Sequence, residues 1–121
     1  MKILFIHQNF PGQFKFLAPA LAEQGHNVFA LAVGDKPARW KGVQVIAYKP
    51  DRFTSKDVHP WLSDFETKVI RGEAVYRKLT AMKERGLEPD LIIAHHGWGE
   101  TLFIKHVWPS AKVGIYCEFH Y

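Results

Sequence analysis

The segment IAHHGWGE, residues 93–100, places groups that could bind a ligand directly after an apolar run. The adjacent imidazoles of His95 and His96 could position a reacting group. Trp98 could stack on a flat face such as that of a sugar ring, and the flanking glycines could let the backbone approach a ligand closely or form a tight turn. The catalytic candidates in this segment are His95 and His96, and the substrate-binding candidates are Gly97, Trp98, Gly99 and Glu100. The simpler alternative is that Trp98 and one histidine only pack the loop.

A second such segment is HQNFPGQF, residues 7–14, which separates an apolar run from a helical pattern. Pro11 suits the first turn of a helix, and Gly12 lets the backbone approach a ligand. The free N–H groups at such a helix end could hold a phosphate or a carboxylate. We therefore count His7, Pro11, Gly12 and Gln13 as substrate-binding candidates. The segment is not a GxGxxG motif, and an ordinary strand-to-helix turn explains it equally well.

Metal and nucleophile chemistry have weaker support. Three zinc ligands could in principle come from His7, His95 or His96, Glu118 and His120, but no HxxxH or HExxH pattern lies on a predicted helix. Cys117 is expected inside a strand as a small buried hydrophobe, and there is no GxSxG elbow. We predict neither a metal site nor a cofactor.

Five strands and three helices are predicted to position these groups. The apolar patterns indicate strands over Lys2–His7, Asn27–Val33, Val43–Tyr48, Pro89–His95 and Lys112–Cys117. They indicate helices over about Gln13–Gln24, Lys56–Arg85 and Glu100–Val107, the second being one long helix or two joined near Gly72. Strands that alternate with helices favour an α/β fold with a Rossmann-like, doubly wound parallel sheet in the order 3-2-1-4-5.

This strand order predicts where the candidate residues meet. In such sheets the ligand crevice lies beyond the carboxyl ends of the strands at the switch point, here between the first and fourth strands. His7 would end the first strand, and His95 with His96 would end the fourth. Glu118 and His120 would follow the fifth strand, as a substrate-binding and a catalytic candidate. We expect all of these residues to share one crevice.

Length and composition fit one globular domain of 121 residues, 47% of them hydrophobic and 23% charged. The apolar run at the start of the chain is too short for a signal peptide or a membrane span. A lone cysteine fits a reducing compartment. We therefore expect a cytoplasmic protein. The net charge of +4 favours anionic small molecules over nucleic acid, for which no motif is present.

The long predicted helix carries several basic residues. They could lie against acidic lipid, which would place the protein peripherally at the inner face of the membrane, or against a phosphorylated compound. A solvated helix face is the simpler interpretation. The set comprises Lys68, Arg71, Arg77, Lys78, Lys83 and Arg85.

Two segments resemble a known family. The first, MKILFIHQNFPGQFKFLAPALAEQGHNVFAL, is similar to the opening of the amino-terminal domain of a family 4 glycosyltransferase of the GT-B fold. The second, PDLIIAHHGWGETLFIKHVWPSAKVGIYCEF, resembles the fourth strand, loop, helix and fifth strand of the same domain. The similarity extends through essentially the whole chain. It implies glycosyl transfer from a nucleotide sugar, with retention and without a bound metal, in a cleft between two Rossmann-like domains.

The resemblance also implies roles for individual residues. The amino-terminal domain of such enzymes mostly receives the acceptor, which is a sugar, a lipid or a small molecule, and the carboxy-terminal domain holds the donor. Pro11 and Gly12 would face the donor diphosphate. His95, His96, Gly97 and Trp98 would line the cleft, and His120 would be the counterpart of a functional histidine that relatives place after the fifth strand.

The resemblance further implies that residues 1–121 are a truncated acceptor-side domain, without the carboxy-terminal donor-binding domain and inactive alone. The alternative is a non-catalytic Rossmann-like module that binds a nucleotide or a phosphorylated ligand without turning it over. The absence of a second Rossmann-like domain after Tyr121 would favour that alternative.

Overall fold

The computed structural model describes residues 1–117. Within them lie six strands, three α-helices and one 3-10 turn at Gly12–Phe14. The strands are β1 (Lys2–Ile6), β2 (Asn27–Val33), β3 (Arg39–Trp40), β4 (Val43–Tyr48), β5 (Leu91–His95) and β6 (Lys112–Tyr116). The α-helices are α1 (Leu17–Glu23), α2 (Pro60–Glu84) and α3 (Ile104–Val107).

The strands form one sheet in the order β3-β4-β2-β1-β5-β6. All neighbours are parallel except β3 and β4, which are antiparallel. The predicted Rossmann-like α/β fold is confirmed, since the five predicted strands correspond to β1, β2, β4, β5 and β6 in the predicted order. The short edge strand β3 was not predicted. It pairs with β4 across Lys41 and Gly42, which both have positive φ, at 46° and 83°.

Each face of the sheet carries its own apolar core because side chains alternate along β1. Ile3 and Phe5 belong to the cluster that packs under α1, whereas Leu4 and Ile6 belong to the cluster under α2 and α3. All four side chains are fully buried. The run is apolar without interruption because both faces of β1 are buried, as the sequence predicted.

The switch point lies between β1 and β5, as predicted. Ile6 is the register partner of Ala94, so His7 and His95 follow directly on neighbouring strands. From here the chain leaves β1 toward the face of α1 and leaves β5 toward the face of α2 and α3. The two loops therefore diverge and leave a crevice between them.

All three α-helices begin later than predicted. The predicted helix from Gln13 is a 3-10 turn followed by α1 from Leu17, because Phe14 is drawn into the core against Phe5, with ring centroids 5.1 Å apart. The predicted helix from Glu100 begins only at Ile104, because Glu100 is buried in a turn. The N–H groups near Gly12 are therefore not the end of a continuous α-helix, contrary to expectation.

The long helix is continuous but starts later than predicted. Pro60 occupies its first position, and the His59 ring accepts a hydrogen bond from the Trp61 backbone N–H at 3.1 Å. No helix in residues 1–117 is at once long and apolar enough to cross a membrane. Cys117 is exposed and follows β6, which ends at Tyr116, so its predicted burial in a strand was wrong.

Candidate functional site

The centre of the switch point is a pair of buried imidazoles. The ring centroids of His7 and His95 lie 4.9 Å apart, and the two side chains are 5% and 1% exposed. Both continue the α1 face of the sheet, as the alternation along β1 and β5 requires. Two residues 88 positions apart are thus brought together where the sequence predicted a crevice.

The His7 ring is held by its own loop. Its Nδ1 accepts a hydrogen bond from the Asn9 backbone N–H at 2.9 Å, so in the neutral ring Nε2 carries the proton. That nitrogen lies 2.5 Å from Gln13 Oε1, to which it donates. A Cβ on Gly12 would lie 2.3 Å from the same nitrogen, so Gly12 is required for the backbone to pass the imidazole. Gly12 and Gln13 thus fix His7, and both are exposed.

His95 lies among aromatic rings. Trp98 and Tyr116 lie nearly parallel to it, at interplanar angles of 16° and 23° with centroids about 6 Å away. The Gly97 backbone N–H approaches His95 Nδ1 at 3.4 Å. The Trp98 ring, expected to stack on a ligand, therefore already has one stacking partner within the protein.

A cleft of about 580 Å³ opens between α2 and the loop that follows β5. His96, Gly97 and Trp98 line it, whereas His95 does not. The remaining lining residues are Asp64, Phe65, Thr67, Lys68, Arg71, Gly99, Thr101 and Leu102. The predicted site residues are therefore divided between a buried pair and an open cleft.

His96 is the histidine with access to this cleft. Its Nδ1 lies 3.2 Å from the Tyr116 carbonyl oxygen, which can only accept, so Nδ1 donates. In the neutral ring Nε2 then carries no proton and can accept a hydrogen bond. This arrangement suits a group that positions or deprotonates a hydroxyl.

Two glycines bring the loop against α2. Gly99 has φ of 102°, and a Cβ there would lie 2.3 Å from the Lys68 carbonyl oxygen. A Cβ on Gly72 would lie 2.9 Å from the Gly99 carbonyl oxygen. Gly99 was expected to let the backbone approach a substrate; the structure assigns it to the approach of the loop to the helix. Gly72 is a packing position within one helix and not a joint between two.

Glu100 is 1% exposed and does not line the cleft. The Tyr48 hydroxyl donates to its Oε1 at 2.8 Å. Its Oε2 is buried and, within residues 1–117, has no hydrogen-bond partner. Burial raises the pKa of the Tyr48 hydroxyl far above its ordinary value, the Glu100 carboxylate raises that pKa further, and Arg71 opposes both effects. Glu100 therefore anchors the loop to β4 and does not occupy the first turn of a helix.

One other predicted site residue lies elsewhere. Pro11 lines a separate cleft of about 220 Å³ with Phe10 and Trp40. Glu118 and His120 are outside the described residues. In the described part of the chain, no three His, Cys, Asp or Glu side chains are grouped closely enough to hold a metal ion. The zinc alternative that used Glu118 and His120 is not decided by that finding.

The sequence from residue 24 to residue 121 matches the family model of the glycosyl transferase family 4 group. The chain belongs to this family. No curated protein matches the chain. The resemblance stated from the sequence is thereby confirmed at family level, and the matched region includes α2, β5 and the loop that form the cleft.

Sequence reasoning missed two residues of this glycosyltransferase domain that the structure places at the site. Tyr48 looked like a core residue at the end of an apolar strand, and only its position at the carboxyl end of a strand signalled a polar role for its hydroxyl. Arg71 was included only in a general basic set, although it lines the cleft. Helical spacing alone could not separate it from the solvated cations of the same helix.

Proposed function

We propose that the chain is the acceptor-side, amino-terminal domain of a GT-B glycosyltransferase. The enzyme transfers a glycosyl group from a nucleotide sugar to a sugar, lipid or small-molecule acceptor, with retention. The observation that supports this best, given the family, is the cleft beside the switch point, lined by His96, Trp98 and cations of α2. The donor site itself belongs to a second domain in this proposal.

The chemistry assigns different tasks to the two parts of the site. Glycosyl transfer passes through an oxocarbenium-like transition state, which is stabilised by neutralising the departing diphosphate and by hydrogen bonds to the sugar. His96 Nε2 accepts a hydrogen bond from a sugar or acceptor hydroxyl in the cleft. The exposed backbone at Gly12 and Gln13 faces the donor diphosphate. His95 holds the Trp98 ring, and His120 is a catalytic candidate from the resemblance to the family alone.

Exposed apolar side chains also support a peripheral contact with a membrane. Trp61 and Phe65, in the first turns of α2, are 88% and 64% exposed, and Phe65 lines the cleft. Large exposed aromatic groups are typical of interfacial binding. A lipid acceptor would reach the cleft from this side.

The division of labour between the domains is tested by calorimetry with a panel of nucleotide sugars. We expect tight donor binding by the full-length protein and little or none by residues 1–121 alone. Comparable binding by residues 1–121 would overturn the proposal and favour the self-contained, non-catalytic binding module. Transfer to an acceptor is then measured with whichever donor binds.

A further inference from the structure

Arg71 differs from the other cations around it. Lys68 pairs with Asp64 at 2.9 Å, and Arg77 pairs with Asp51 and Glu73 at 2.8 and 2.9 Å. Arg71 itself has no ion pair and no side-chain hydrogen bond with any residue from 1 to 117. A half-buried guanidinium without a partner leaves five N–H donors for a ligand.

The position of Arg71 gives those donors access to a bound molecule. Arg71 lines both the 580 Å³ cleft and a smaller one of about 230 Å³ between α2 and the segment that follows β4. Trp98 and His96 lie on the opposite wall of the larger cleft. A molecule that contacts His96 there would therefore come within reach of the Arg71 side chain.

The buried Glu100 carboxylate does not form an ion pair with Arg71. The buried Glu100 carboxylate is hydrogen-bonded by Tyr48, and its Oε2 has no partner within the described range. Glu100 is not part of the cleft wall. The two charges have opposite effects on the pKa of the Tyr48 hydroxyl, so both lie near it, yet no ion pair joins them within residues 1–117.

We infer that the acceptor carries a phosphate ester and that Arg71 binds it by its planar fork. This inference rests on the proposed function, since it names the chemical class of the acceptor for the same cleft. A guanidinium fork matches the oxygens of a phosphate bidentately. Lys68 is the second cation of this wall; its partner Asp64 is 81% exposed, so that pair is a weak surface pair.

The test uses phenyl phosphate as the probe, with benzyl alcohol as the uncharged control, and calorimetry on the full-length protein. Arg71→Gln is expected to weaken phenyl phosphate binding at least about tenfold, which corresponds to about 1.4 kcal/mol. Arg71→Lys keeps the charge without the fork and is expected to lose less. The matched control is Arg77→Gln, which removes a paired cation of the same helix and is expected to change the dissociation constant less than about twofold.

The same variants bound to vesicles distinguish a lipid headgroup from a soluble phosphate. Binding to phosphatidylglycerol vesicles that requires Arg71, without binding of phenyl phosphate, would assign the phosphate to a lipid acceptor. Equal binding by Arg71→Gln and the unmodified protein with both probes would overturn the inference, as would an equal loss in Arg77→Gln. Thermal unfolding shows whether each variant is folded. If Arg71→Gln is not folded, Arg71→Lys tests the inference.

Donor binding separates this inference from the proposed function. If nucleotide sugars bind and transfer occurs but phosphorylated and neutral acceptors respond equally to Arg71→Gln, only the phosphate inference fails. If phenyl phosphate binds through Arg71 but no nucleotide sugar binds the full-length protein, the transferase proposal fails and the phosphate site stands.

Discussion

The two adjacent histidines at the carboxyl end of β5 occupy different environments, and this determines what each can do. His96 donates from Nδ1 to the Tyr116 carbonyl oxygen and lines the cleft, so its Nε2 is available for a substrate hydroxyl. His95 is almost fully buried beside Trp98 and Tyr116. We therefore expect His96 to act on substrate and His95 to act through the loop that it packs.

The first prediction concerns these two residues together. A full-length His95→Ala, His96→Ala double variant should lose about 100-fold or more of its transfer rate, the size expected for removing a positioned imidazole. Steady-state transfer assays measure this. His106→Ala is the matched control, because His106 is exposed on α3 and lies outside the cleft. Near-normal activity of the double variant would exclude both histidines from the reaction.

A second prediction separates a steric role of glycine from a conformational one. Gly12→Ala should lower the free energy of unfolding by about 1–3 kcal/mol through positive φ alone, and by more because the added Cβ meets the His7 ring. Gly25→Ala is the control, since Gly25 has φ of 92° but no atom near its missing Cβ. Denaturant unfolding gives both values. Equal losses would show that His7 is not held against Gly12.

A third prediction follows from the raised pKa of Tyr48. Its hydroxyl keeps its proton in the folded protein at pH values where it loses it in the unfolded chain. The folded state then binds more protons, so the free energy of unfolding should fall as pH rises above about 10, the ordinary tyrosine pKa. At lower pH this contribution is fully present.

Tyr48→Phe tests this dependence and the anchor together. At pH 7 it should cost about 1–3 kcal/mol, because the buried Glu100 carboxylate loses its hydrogen bond, and the decline above pH 10 should become shallower. Tyr76→Phe, at an exposed tyrosine of α2, should leave both unchanged. An unaltered pH profile in Tyr48→Phe would contradict the assignment.

At the scale of elements, the contact between α2 and the loop that follows β5 depends on two glycines, Gly72 and Gly99, which have no side chain. The fourth prediction is that Gly72→Ala lowers the free energy of unfolding, although alanine favours an exposed helix by about 1 kcal/mol over glycine. The added Cβ would lie 2.9 Å from the Gly99 carbonyl oxygen and 3.2 Å from Leu102. The loop can relieve this contact only by moving, which displaces His96 and Trp98.

The reverse substitution at an exposed position of α2 calibrates this prediction. Ala81→Gly should cost about 1 kcal/mol, the helix propensity alone. A gain of similar size in Gly72→Ala would mean that the loop does not press on the helix. Denaturant unfolding measures the energies, and the NMR signal of the Trp98 indole reports displacement of the loop.

The elements were predictable where a local pattern determined them. The five core strands follow from apolar runs, and the switch point follows from their order, so the meeting of His7 and His95 was predictable. The errors came from long-range contacts. Phe14 packs on Phe5, and Glu100 accepts a hydrogen bond from Tyr48. Because of each contact, the following helix begins at a later residue than propensity alone predicts.

The extra strand was missed for a conformational reason. Its two-residue turn needs positive φ at both positions, and the usual signal is Asn-Gly or Asp-Gly. Here Lys41 adopts φ of 46° ahead of Gly42. A lysine in the left-handed region is uncommon, so the segment looked like a loop.

At the scale of the whole molecule, charge and apolar exposure are distributed differently on α2. Several of its basic side chains pair with carboxylates, for example Arg77 with Asp51, so the basic set is less available to acidic lipid than the sequence suggested. The aromatic side chains at the start of α2 have no such cover. Contact with a membrane would therefore depend more on the rings than on net charge.

The fifth prediction is that a Trp61→Ser, Phe65→Ser double variant partitions to phosphatidylglycerol vesicles at least about tenfold more weakly than the unmodified protein. Burying one large apolar side chain contributes about 1.5–3 kcal/mol. Removing both rings should therefore weaken vesicle binding more than high salt does, since salt screens only the charges. Cosedimentation at low and high ionic strength measures both. Phe16→Ser is the control, because Phe16 is 78% exposed but precedes α1 on the opposite face of the sheet. Vesicle binding that survives the double substitution and disappears in high salt would instead assign the contact to the cations, and Arg71 would be the first of them to test, since it has no partner in the described chain.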